Sequence, residues 1–238
     1  MRRNETMIRR IACLCAALAW TPIAGMAQAQ DADAPYPRMA PMEQYMMDRD
    51  AEIAMARSAA PASISGEAEV LVLGPKGYET AVKGKNGFVC IVQRSWANSS
   101  DAAEFWNPKH RSPNCFNEAA ARTFMQVYLM KTNLVLEGKS KPEIGAAIAS
   151  ALEKKELPVL APGAMDYMMS KEQYLNDGAK CWHPHLMFFA PGDVAKSWGA
   201  NLPGSPMIAA SDSEARVTTF MIVVHQWSDG TPGPPMGD

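Results

Sequence analysis

The 238-residue chain is 47% apolar and 20% charged, and its 23 Lys and Arg against 25 Asp and Glu leave a net charge of −2. Those proportions fit one globular domain with a sizeable core. No basic excess is available to neutralise phosphates, so nucleic acid and anionic membrane surfaces are not expected partners.

Residues 1–29 read as a secretory signal peptide. Arg2, Arg3, Arg9 and Arg10 supply the positive region, residues 11–23 the apolar region, and Ala27-Gln28-Ala29 a small-x-small cleavage site; Met7 is an alternative start. Cleavage near Ala29 leaves 19 basic against 24 acidic residues. No later apolar run is long enough to span a bilayer, so a periplasmic or secreted chain without a transmembrane segment is expected.

Residues 30–40 are rich in Pro and Ala without periodicity and read as a flexible leader, followed by a single domain over 41–227. Pro41 opens a helix expected to reach residue 60, with Met42, Tyr45, Met46, Arg49, Ile53 and Ala56 on one side and Glu43, Asp48 and Glu52 toward water. Strand signals follow at 69–73, 78–82 and 88–94. The glycine turns between them, Gly74-Pro75-Lys76-Gly77 and Gly84-Lys85-Asn86-Gly87, specify an antiparallel meander.

Over residues 95–116 periodicity disappears and the segment reads as a long structureless loop. Its Trp96, Glu104, Phe105, Trp106, Asn107, Lys109, His110 and Arg111 suit a pocket wall or lid, or else an aromatic-anchored loop folded over the sheet. Asn117 is an N-cap for a helix ending at Gly138, and Ser140 with Glu143 forms a capping box for a second helix carrying Ile144, Ala147, Ile148, Ala151 and Leu152. Apolar runs at 164–170 and 185–190, a short helix at 193–198 and a turn at 203–206 come next. Residues 217–225 alternate as a strand, and residues 228–238 read as a disordered tail. Strand signals gather on either side of the helical hairpin. The expected fold class is therefore α+β, with a mainly antiparallel sheet, an N-terminal helix and a central helical hairpin.

The strings WHPHLMFF (182–189) and SWGANLPGSP (197–206), with YMMSKEQYL from Tyr167, resemble an uncharacterised family of small exported bacterial proteins. The likeness runs from about Pro41 to Gly230. It implies export and a single domain, and attaches no chemistry.

Three cysteines remain after signal removal, an odd number where disulfides persist. A Cys90–Cys115 disulfide would staple the long loop to the sheet; Cys115 with Cys181 is the other pairing. His183 and His185 flank Pro184 at a strand entry and should project from one face. With His225 from the last strand they would make a three-nitrogen zinc site, while two His with Met or Cys would suit copper. A metal-free role makes one imidazole a general base oriented by Asp166 or Glu104. The 14 methionines of the mature 209 residues also suit Cu(I), though packing accounts for most of them. No signature of a familiar enzyme class is present. Two readings result. One is a non-catalytic small-ligand or metal-binding accessory protein, its pocket formed by Trp96, Trp106, His110, Trp182, His183 and His185. The other is an exported metal-assisted hydrolase using His183, His185 and His225. Zinc and copper are the candidate cofactors, and protein partners do not follow from the sequence.

Overall fold

The computed structural model describes residues 34–235, and the expected signal peptide lies outside them. Its strands are β1 (Glu69–Gly74), β2 (Gly77–Val82), β3 (Val89–Gln93), β4 (Ser112–Phe116), β5 (Met165–Met168), β6 (His185–Pro191), β7 (Ile208–Asp212) and β8 (Val217–Val223). They form one eight-stranded sheet in the order β2-β1-β3-β4-β5-β6-β8-β7, antiparallel throughout except between β1 and β3. The helices are α1 (Arg49–Arg57), α2 (Ala62–Ser65), α3 (Glu118–Arg122), α4 (Phe124–Leu136) and α5 (Lys141–Glu153). The class is α+β with a mostly antiparallel sheet.

The expected meander is corrected at β3. β1 and β2 close a hairpin at Gly74–Gly77, where Gly77 adopts φ 114°. The chain then crosses beneath the start of β1, and β3 lies on the far side of β1, parallel to it, with Val70 beside Cys90. Lys85 N donates to Glu67 O and Glu69 N to Phe88 O along the crossing. Composition explains the order: β2 carries exposed Glu79 and Thr80 and suits an edge, whereas β1 and β3 are apolar on both faces and belong inside.

The 95–116 loop is corrected as well, since it contains β4. Ser112, Pro113 and Asn114 are turn-forming types, which hid the strand. Pro113 is tolerated because β5 pairs only with Cys115 and Phe116, leaving the Pro113 position unladdered on that side. The rest of the segment is packed: Trp96, Phe105 and Asn107 are fully buried. The cysteine pairing stands as expected, with Cys90 directly opposite Cys115 and the two bonded, while Cys181 is free and exposed.

α1 packs on one face of the sheet, over Val70, Val72, Cys90, Val92 and Cys115. The helices α3, α4 and α5 pack on the other, over Leu73, Ile91, Phe116 and Phe189. The expected caps hold this second layer: Asn117 Oδ1 accepts from Ala120 N, Gly138 ends α4 at φ 76°, and the Ser140–Glu143 box starts α5. Thr123, at φ −127° and ψ −80°, breaks the first helix into α3 and α4.

The helix expected over 41–60 is corrected. Met42–Gln44 is a 3₁₀ turn, and α1 starts afresh at Arg49, where the Asp48 side chain caps Asp50 N and Ala51 N. Glu52, expected in water, is 1% exposed and ion-paired at 2.9 Å with Arg94, which is itself fully buried. At the ends, Tyr36, Met39 and Ala40 pack against the core, so the leader expectation is corrected over residues 34–40. The tail expectation is corrected over 228–235: Trp227 N donates to Thr231 O, Gly233 N to His225 O, and Lys171 pairs with Asp229 at 2.7 Å.

Candidate functional site

Eight strands at about 4.8 Å spacing span roughly 34 Å, more than the roughly 20 Å that two packed helices cover. The inner face of β5, β6 and β8 therefore runs out from beneath α4. The gap is a cavity of about 490 Å³, walled by Phe124, Val127, Tyr128 and Lys131 of α4 and rimmed by residues 97–99, 175–176 and Trp182.

Strand alternation decides its floor. β5 sends Asp166 and Met168 inward, β6 sends His185, Met187 and Phe189, and β8 sends Thr219 and Met221. In register, Asp166 lies opposite Phe116 and Met187, Met168 opposite His185, and Met187 opposite Met221. His185 and Asn114 are thus the diagonal neighbours of Asp166, about 7 Å away on either side.

Asp166 is fully buried, and neither carboxylate oxygen has a hydrogen-bond partner. Burial pushes its pKa well above the ordinary 3.8. Asn114 spends its amide nitrogen on Gln93 Oε1, Ser112 O and Ser112 Oγ at 2.8–3.0 Å, and its Oδ1 is also unpartnered.

His185 is 2% exposed, with Nδ1 2.7 Å from His183 O. That carbonyl places the proton of the neutral ring on Nδ1 and leaves Nε2 as an acceptor. Burial holds its pKa below the usual 6.5, and the indole of Trp182 stands edge-on to it at 4.7 Å. His110 is likewise neutral at pH 7: burial lowers it to about 4, and Nδ1 lies 2.8 Å from Leu175 O. On the α4 wall Lys131 pairs with Glu214 at 2.8 Å and donates to Asn98 O. Burial alone would raise Glu214, but Lys131 and Ser100 N outweigh it and hold the carboxyl below its ordinary value. Asp177 latches the rim, accepting from Tyr36, Tyr174 and Lys109.

Of the six residues expected to bind a ligand, His110, Trp182 and His185 line the cavity. Trp96 and Trp106 do not. Trp96 donates Nε1–H to Thr132 in the core and Trp106 packs edge-on against Phe105, so the segment is an anchored core loop. His183 lies outside the lining, ahead of the first residue of β6. His225 is exposed beyond the end of β8. No group of three or more His, Cys, Asp or Glu side chains placed to hold a metal occurs among the described residues. The expected zinc set of His183, His185 and His225 is therefore corrected. Glu104 is spent on Asn107 within its own loop, whereas Asp166 does share the floor with His185. The central place of Asp166 had one sequence signal: a single carboxylate in the otherwise apolar Met165–Met168 strand.

An unpartnered buried carboxyl is a structural liability, so Asp166→Leu is expected to raise stability by about 1–3 kcal/mol in urea denaturation at pH 7. The gain should grow as pH rises from the ordinary carboxyl range toward the raised folded-state pKa and level off beyond it. A group whose pKa is raised by folding loses its favourable protonated state as pH climbs through that raised pKa, and Leu has no such loss. A fall in stability would show instead that the carboxyl serves the fold.

Comparison with protein-family models, with curated proteins and with solved structures finds no match to the chain.

Proposed function

We propose that this chain is a non-catalytic small-molecule-binding protein whose ligand occupies the cavity between α4 and the inner face of β5, β6 and β8. The observation that carries this reading is Asp166, a carboxyl with no protein partner at the floor of a 490 Å³ space walled by aromatic and thioether groups. Concave, mostly apolar cavities with a few convergent polar groups are the usual form of a ligand site. Methionines 168, 187 and 221 give the floor side chains that adapt to a bound shape. Export of the mature chain, read from residues 1–29, belongs to the same proposal.

A small-molecule thermal-shift screen of wild type beside Thr219→Trp, which fills the floor, tests it. Compounds that raise the midpoint of wild type by several degrees and leave the filled variant unmoved are expected. A screen in which no compound acts, or in which the filled variant responds equally, refutes the reading.

One observation favours a second reading. His185 faces the cavity beside the same three thioethers, a soft donor set suited to Cu(I). Elemental analysis of the purified chain decides it: stoichiometric copper that disappears in His185→Ala supports the site, and copper-free protein after copper loading removes it.

A further inference from the structure

Resting on the reading of the cavity as a ligand site, we infer that its ligand is an organic cation: an amine with an apolar body, whose ammonium group is received by Asp166.

The charge balance of the walls points this way. Lys131 is the one basic side chain among the lining residues, and Glu214 neutralises it at 2.8 Å. Asp212 also lines the cavity, with Oδ1 committed to the backbone N–H groups of Glu214 and Ala215. His110 and His185 are neutral at pH 7 for the reasons given above. Nothing on the inner face supplies a positive charge to Asp166, and the fully buried side-chain atoms beside it that lack a partner are oxygens. Both Asp166 oxygens and Asn114 Oδ1 are unpartnered, and His185 Nε2 is an acceptor because Nδ1 holds the proton. A ligand that satisfies this set must bring donors. An ammonium group brings three, together with the charge that turns a costly buried carboxylate into a paired one.

The remainder of the space fits the body of such a ligand. Tyr128, Phe124, Phe189 and Trp182 present aromatic surface, which attracts cations as well as apolar groups. Asp166 is reached past Met168 and Met187, its neighbours on the floor, whose unbranched side chains move aside at little cost.

The test is isothermal titration calorimetry of the purified chain at pH 7 with phenethylamine, phenethyl alcohol and phenylacetate, which share one ring and differ in charge. Wild type should bind the amine at least about tenfold tighter than the alcohol, the effect of one charge-assisted hydrogen bond, and should reject the acid. Asp166→Asn should lose that preference, its amine affinity falling to about that of the alcohol. Alcohol or acid binding as tightly as the amine, or an indifferent Asp166→Asn, overturns the charge assignment and leaves the cavity reading standing. Failure of all three probes to bind wild type, joined to a silent thermal-shift screen, overturns both.

Discussion

Glu52→Ala is expected to destabilise the chain by about 3–5 kcal/mol, the cost of leaving one partner of a buried ion pair alone. Arg94 has 0% and Glu52 1% of its side chain exposed, at a separation of 2.9 Å. Arg94 Nε also donates to Tyr45 O at 2.7 Å, Nη1 donates to Val92 O, and Glu52 Oε1 accepts from Leu73 N at 3.1 Å. The pair thus ties α1, the segment before it, β1 and β3 through groups that water cannot reach. Removing the carboxylate strands a cation, and removing the cation strands a carboxylate. Removing both need not strand either, so Glu52→Leu with Arg94→Met should be less destabilised than the sum of the two single changes. Urea denaturation of the four proteins measures this. Single changes that each cost under about 1 kcal/mol would show that water or another group replaces the missing partner.

That pair also shows where sequence reading stops. An acidic residue in a charged helix reads as solvated, and nothing local to Glu52 announces an arginine 42 positions later. Features resting on local chemistry were legible: the caps at Asn117 and Ser140, the alternation of β8, and the Cys90–Cys115 pairing. Features resting on which strand lies beside which were not. β7, an Ile-Ala-Ala-Ser-Asp segment, lacks the bulky alternation that marks a strand, and β3 takes its neighbours from burial instead of chain order. The site divides in the same way. His185 and Trp182 were readable from their own segment, but a three-histidine set needed His225 to stay on the face of β8, and the strand ends before reaching it. Asp166 was readable as a polar residue near a histidine. Its isolation, which makes it the centre of the site, appears only once β4 and β6 are seen to place Phe116 and Met187 on either side of it.

Replacing Cys90 and Cys115 together by Ala is expected to cost about 3–4 kcal/mol by the loop-closure estimate, for a sequence separation of 25. Both cysteines are fully buried beneath α1, so a reductant should act only when the sheet opens, whereas exposed Cys181 should react at once and Cys181→Ser should be silent in stability. The bond does more than restrain the unfolded chain. β3 and β4 pair over five positions, and the segment between them has no regular strand of its own, so little but the cystine and the face pattern holds their register. A slip of one residue would turn Cys115 toward α4 and carry Ser112 and Asn114 away from the cavity side. The polar group that flanks Asp166 would then be lost even in a chain that remained folded. The cysteine-free variant should accordingly weaken amine binding beyond what its lower stability explains, measured at a temperature where it is still fully native. Full affinity in a folded, cysteine-free chain would show that packing alone sets the register and that the bond acts on stability only.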